Sequence, residues 1–247
     1  MSSFITVGFP SENVSIDIAS KLLKNEVDMI ELGIPFSDPI AEGPTIQKTS
    51  QIALSQGITL DSCIKAAKKV RISNNKSPII LMGYFNPILK YGLNNFVKKS
   101  SDSGVDGIII PDLPVEESGQ IRIICNKYRI HLIPLIAPTS TPERINKICK
   151  HAKGFIYCVS VKGVTGARKK LDYKGLESFV SQIRKKTKLP ILIGFGISTS
   201  DQIENIGKFA DGVIVGSSLL NSIMDCEETE VVDKAINFIK SLKTEIS

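Results

Sequence analysis

"VDMIELGIPFSDPIAEGPTIQ", residues 27–47, is an apolar run that ends in a carboxylate, Glu31, and then turns sharply. Three prolines (35, 39 and 44) and two glycines (33 and 43) follow, with two more carboxylates, Asp38 and Glu42. Apolar residues without polar alternation are the pattern of a strand covered on both faces. Seven further runs of this kind lie at 3–7, 78–83, 106–110, 131–136, 154–159, 190–194 and 211–215. Between most of them come segments with helical spacing, such as Ile18 and Leu22, or Ile145 and Ile148. The βαβα alternation predicts a parallel sheet. Eight strands in 247 residues fit a closed (β/α)₈ barrel, or TIM barrel, of one domain spanning residues 1–247. The alternative is an open doubly wound sheet. Its dinucleotide version wants G-x-G-x-x-G after the first strand, where this chain reads GFPSEN.

Composition narrows the function classes. Apolar residues make up 42% and charged residues 23%, the balance of a soluble globular protein. No apolar stretch reaches the roughly 18 residues of a membrane span. The first residues, MSSFITVGFPSENVS, read as neither signal nor transit peptide. The net charge of +6 is carried by interrupted Lys/Arg clusters at 65–71 and 184–188 with few aromatics beside them. That reads as a solvated surface with no nucleic-acid partner, in a field that suits an anionic substrate. Five scattered cysteines (63, 125, 149, 158 and 226) form no C-x-x-C. This argues for a reducing compartment and against a disulfide framework or zinc site. His131 and His151 have no metal-ligand spacing, and both read as structural.

A weak repeat runs through EVDMIEL, GVDGIII and FADGVIV, placing Asp28, Asp106 and Asp211 at strand starts. In a barrel these lie on the bottom face, where capping or pairing is the expected role. Catalytic groups belong at the opposite end. There the strands deliver Glu31, with Asp38 and Glu42 in its loop, then Tyr84 and Asn86, then Asp112. Three later loops are rich in Gly and Ser: Gly163 and Gly166, Gly194 and Gly196, and Gly216, Ser217 and Ser218. Loops after the last strands, with the N-terminus of a short extra helix, make a phosphate site in such barrels. Ser is the expected N-cap of a helix running through Leu219 and Leu220. A carboxyl at the apolar barrel mouth has its pKa raised by desolvation, which suits Glu31 to acid–base chemistry at neutral pH. A buried, neighbour-paired carboxylate is the competing reading. Glu42 is either a second carboxylate over the pocket or an exposed loop charge. Asp38, beside Pro39, shapes the turn or faces a partner.

IELGIPFSDPIAEGPTIQ closely resembles the signature of the tryptophan synthase alpha chain family. The likeness continues through LMGYFNPILKYG (81–92), GVDGIIIPDLPVEES (104–118), LIAPTSTPERI (135–145), SVKGVTGAR (160–168), GFGIS (194–198) and GVIVGSS (212–218). The resemblance implies a carbon–carbon lyase of tryptophan biosynthesis that cleaves indole-3-glycerol phosphate to indole and glyceraldehyde 3-phosphate. By motif position, Glu31 matches the acid–base carboxylate and Glu42 the second carboxylate, at the indole N–H. Thr165 matches the closing-loop threonine, and Tyr157 a pocket tyrosine. Gly166, Gly196, Gly216 and Ser217 match phosphate-binding positions. Phe4, Tyr84 and Phe195 match residues around the indole. The family needs no metal or organic cofactor on this chain. Its partner is a beta chain in an α₂β₂ complex, and Asp38, Pro39, Asn86, Pro87 and the loop from Asp112 match the partner-facing region. The implied compartment is a bacterial cytoplasm or, for a plastid-encoded chain, the stroma. This sequence departs from the family at Glu42, where Asp is commoner, and in starting almost at strand 1, where the family has a further helix. Two alternatives remain at this point: another sugar-phosphate barrel, or a catalytically weak activator of a beta chain.

Overall fold

In a computed structural model, residues 1–74, 76–159, 172–194 and 196–243 are described. In chain order the elements are β1 (Ser2–Thr6), α1 (Glu12–Asn25), β2 (Met29–Gly33), α2 (Pro44–Ser55), α3 (Leu60–Ser73), β3 (Ile79–Met82), α4 (Phe85–Tyr91), α5 (Leu93–Asp102), β4 (Gly107–Ile109) and α6 (Gly119–Lys127). There follow β5 (His131–Ile133), β6 (Leu135–Ile136), α7 (Pro142–His151), β7 (Ile156–Val159), α8 (Tyr173–Arg184), β8 (Ile191–Gly194), α9 (Ser200–Gly207), β9 (Gly212–Val215), α10 (Ser217–Ser222) and α11 (Val231–Ser241).

All pairings are parallel, in the order β5-β4-β3-β2-β1-β9-β8-β7-β6. The two terminal strands of this order are consecutive in the chain and separated only by Pro134. They are halves of the run read from sequence as one strand at 131–136, so the ring closes as an eight-stranded barrel. Proline has no N–H to give a ladder. The chain therefore pairs with β4 through residues 131–133, then with β7 through 135–136, while the Pro134 carbonyl accepts the Tyr157 N–H at 3.1 Å.

Helix signals are local. Ser11 caps α1 by accepting the Val14 N–H, and Ser15, Ile18, Ala19, Leu22 and Leu23 make its buried face at helical spacing. Thr59 with Ser62, and Thr199 with Gln202, form capping boxes on α3 and α9. All five cysteines are free, and four are buried.

The bottom rim confirms the pairing role read for the strand-start aspartates. Asp106 accepts the Ile79 N–H at 2.8 Å and pairs with Arg71 of α3. Asp211 accepts the Ile191 N–H at 2.8 Å and pairs with Arg184 of α8. Each arginine also holds the chain leading into the strand, at the Ser77 and Leu189 carbonyls. The two arrangements sit four strands apart around the ring, one per half-barrel. Asp28 pairs with the amino group of Met1. Inside this rim lies a cavity of about 620 Å³, walled by Met29, Ile80, Ile133, Phe155 and Leu192 among others.

Candidate active site

Glu31 stands in the middle of β2, in register with Phe4 of β1 and Ile80 of β3. Its side chain is fully buried. Oε1 accepts the Ser2 hydroxyl at 3.4 Å, and Oε2 has no hydrogen-bond partner among the described residues. A carboxyl held this way resists ionisation. Burial pushes its pKa up to about 8, against the lowering effect of the Ser2 hydroxyl and with a further push from the charge of Glu42.

Glu42 comes from the loop between β2 and α2. Its N–H closes a turn on the Pro39 carbonyl at 3.2 Å, its carbonyl accepts Gln47 Nε2 at 2.9 Å, and Gly43 and Pro44 then start α2. The backbone so placed turns the side chain inward, leaving it 4% exposed. The exposed-charge reading of Glu42 is thereby ruled out. Tyr84, at the N-cap of α4, holds this geometry. Its hydroxyl accepts the Ala41 N–H at 2.9 Å and reaches Glu42 Oε1 at 3.5 Å, while its ring stacks on Phe36 with centroids 5.2 Å apart. Glu42 Oε2, like Glu31 Oε2, is buried without a partner among the described residues. Burial raises the Glu42 pKa to about 7, opposed by the Tyr84 bond.

A hollow of about 30 Å³ collects Phe4, Glu42, Tyr157, Gly196, Gly216 and Ser217, six of the residues singled out from sequence. A second, of about 10 Å³, shares the Phe4–Glu42 wall and is flanked by Tyr84, Phe36 and Pro39. Glu42 lines both hollows. Glu31 is on the lining of neither hollow, but it is near enough to feel the charge of Glu42. Tyr157 feels the charges of both carboxylates, and with burial they push its hydroxyl pKa well up.

The glycine loops divide their work. Gly196 has φ +86°, a backbone that favours glycine. Gly194 serves a different purpose from the one read for it: a Cβ there would stand 2.3 Å from the Tyr157 hydroxyl, so it makes room for that ring. The N-cap of α10 is Gly216 rather than a serine, and Ser217 is the first helical residue. Without a side-chain cap, the first N–H groups of α10 remain available to an anion. Ser218 Oγ donates to the Ile197 carbonyl at 2.7 Å, tying α10 to the loop after β8. Thr165, Gly166 and Phe195, and with them Gly163, lie outside the described residues.

Of the partner-facing residues, Asp38 and Asn86 are exposed, Pro39 is buried and Pro87 half-buried. Asp112 instead holds an internal bond, accepting the Phe85 N–H at the start of α4 at 2.9 Å. Sequence reasoning missed Ser2, together with Ile46, Met82 and Ile214, which line the hollow. Strand periodicity could have found Ser2, two residues before Phe4 on the same face of β1. Among the described residues no cluster of three or more His, Cys, Asp or Glu could hold a metal ion.

Comparison with known proteins converges on one family. The family model for the tryptophan synthase alpha chain matches residues 1–246. The tryptophan synthase alpha chain of Roseiflexus sp. (strain RS-1) is 42% identical over 240 residues, covering 97% of this chain and 92% of that one. That of Thermoanaerobacter sp. (strain X514) is 44% identical, covering 98% and 91%. The crystal structure of the alpha subunit from Legionella pneumophila str. Paris superimposes with a TM-score of 0.90 at 35% identity, over 99% of this chain and 91% of that one. A chain of Mycobacterium tuberculosis tryptophan synthase gives 0.88 at 30% identity, over 98% and 91%. With Glu42 on the wall of the hollow and Glu31 buried near enough to feel its charge, these matches establish that the chain belongs to the tryptophan synthase alpha chain family.

Proposed function

We propose that this chain cleaves indole-3-glycerol phosphate to indole and glyceraldehyde 3-phosphate, with Glu31 as acid and then base and Glu42 as the stabilising anion. The observation that carries the reading is the fully buried Glu31 carboxyl, whose Oε2 has no partner among the described residues. Held near 8, it is protonated at neutral pH and has a proton to give. That proton goes to C3 of the indole ring, and the positive charge so formed spreads to the ring nitrogen. Glu42, ionised, accepts the ring N–H and offsets this charge. The Glu31 carboxylate then takes the proton of the hydroxyl on the carbon attached to C3. As that oxygen becomes the aldehyde carbonyl, the carbon–carbon bond breaks and its electron pair restores the indole. One proton is given and one taken, so Glu31 ends as it began.

The remaining site residues bind. Phe4 and Tyr84, with Phe195, enclose the ring, and Tyr157 packs beside the two carboxylates. Backbone N–H groups at Gly196, Gly216 and Ser217, joined by Gly166, hold the phosphate. Thr165 is the threonine that meets Glu42. A beta chain in an α₂β₂ assembly is the partner. Of the four large aliphatics exposed among the described residues, Ile40 and Leu89 are close in sequence to Asp38 and Asn86, which suits that face to a partner. None of the described helices is long and apolar enough to cross a membrane. A bacterial cytoplasm or a plastid stroma suits the chain.

The test is indole release from indole-3-glycerol phosphate by the purified chain, with and without a beta chain. Weak release that rises strongly with the partner is expected. No indole in either case, with the beta chain still stimulated, would reduce the barrel to an activator.

A further inference from the structure

At Pro134 the chain leaves the ladder with β4 for the one with β7. β4 follows β5 only as far as the Ile109–Ile133 pair, and β6 joins β7 from the Leu135–Tyr157 pair. Beyond that point residues 110–115 and β6 bound a cleft of about 180 Å³ that reaches α6 and α7. Its floor is apolar yet half-exposed: Leu113, Val115, Leu132, Leu135 and Ala152. Strands of a parallel barrel are ordinarily covered by helices on this side. Arg122 of α6, with Arg144 and His151 of α7, stands around the same cleft.

The charge there is under-compensated. The Arg122 guanidinium donates to Ser118 Oγ at 3.3 Å and makes no ion pair among the described residues. Arg144 and Lys147 share one carboxylate, Glu116, at 3.7 and 3.4 Å. Asp112 also lines the cleft, its carboxylate accepting the Phe85 N–H, which leaves two arginines to one carboxylate on the lining. His151 reports the same sign: desolvation, then Arg122, Lys150 and Lys147, all disfavour its charged form.

We propose that this cleft binds a small amphipathic anion, its ring-sized apolar body on Leu113, Leu132 and Leu135 and its single carboxylate, sulfonate or phosphate on Arg122. Apolar walls with a few placed polar groups are the usual make-up of small-molecule sites. A guanidinium free of a carboxylate partner offers a planar fork for an oxyanion. No residue lining this cleft lines the hollow at Glu42, so this is a second site.

The experiment is calorimetric titration of the full chain with naphthalene-1-sulfonate and with the neutral 1-naphthalenemethanol. In the wild type the sulfonate binds at least about tenfold more tightly than the alcohol. Arg122→Ala removes that preference, and Ala152→Trp, which fills the floor, abolishes binding of both probes. Indole release stays at the wild-type rate in Arg122→Ala, showing an intact barrel. Equal affinity for the two probes, absence of binding, or sulfonate affinity unchanged in Arg122→Ala would each overturn the proposal.

Discussion

The two ends of the barrel handle carboxylates in opposite ways, those at the bottom reached by solvent and those at the top buried. At the bottom, Asp106 and Asp211 each face an arginine and a strand N–H, and Asp28 faces the chain's amino group. For Asp28 and Asp211 the balance holds the carboxyl below the usual carboxylate range, through the amino group in one case and Arg184 in the other. At the top, Glu31 and Glu42 each keep an oxygen with no partner among the described residues, and burial lifts them to about 8 and about 7. The same functional group is a staple at one rim and a proton reservoir at the other. The difference lies in what surrounds it: a cation and backbone N–H groups below, and apolar side chains with single hydroxyls above.

The largest effect expected from breaking this contrast is on turnover. Glu31→Gln keeps shape and removes the transferable proton, so kcat falls by about 10³-fold or more while the Kd of a substrate analogue stays near wild type. Steady-state kinetics beside equilibrium binding checks both halves.

The same substitution should stabilise the ligand-free fold. A buried acid with a raised pKa contributes its stability below the ordinary carboxylate range, and that stability is lost as pH rises through about 8. Glutamine has no such loss, so at pH 7 Glu31→Gln gains up to about 3 kcal/mol in urea denaturation. That gain should vanish near pH 4. At the bottom rim the sign reverses. Asp106→Ala removes the ion-pair partner of Arg71 and the acceptor of the Ile79 N–H and loses about 1–2 kcal/mol, discounted for the partial exposure of the pair. Its kcat per folded molecule is unchanged.

Protonation state gives a finer test. Cleavage needs Glu42 ionised and Glu31 protonated, so kcat/KM of the free chain should peak between about 7 and about 8. Outside that window it should fall about tenfold per pH unit on either side. The smallest effect is expected from Glu42→Asp. A one-carbon change moves the charge by about 1.5 Å. The Tyr84 hydroxyl and the inward turn at Pro39 already seat the longer side chain, so the rate should change by less than about threefold. A large gain would favour the activator reading instead.

Much of this was legible in the sequence because strands of a closed parallel barrel are apolar on both faces and leave unbroken runs. All eight runs became strands, and the Asp at the starts of three of them paired as expected. The break within 131–136 was hidden, because a proline inside an apolar run reads the same whether the ladder changes partner or not. Glu31 could be placed on β2 but not along it: the run read as ending at Glu31 continues as strand to Gly33, which leaves Glu31 in the middle. Its bond to Ser2 could not be read either, since which side chains meet inside a barrel depends on register between strands, here Ser2 against Met29 and Phe4 against Glu31. Gly194 was misread for a similar reason: its neighbour is Tyr157, on the adjacent strand rather than nearby in sequence. The expected serine cap failed because the helix starts one residue earlier, with Gly216 at the cap and Ser217 already helical.

The most direct test of the central claim is to titrate the Glu31 carboxyl itself. Side-chain ¹³C NMR of the labelled, ligand-free chain, assigned by its loss in Glu31→Gln, reads the midpoint without reference to turnover. The account predicts a midpoint near 8. A midpoint near the ordinary glutamate value of about 4.3 would contradict it, leaving Glu31 ionised at neutral pH with no proton to give.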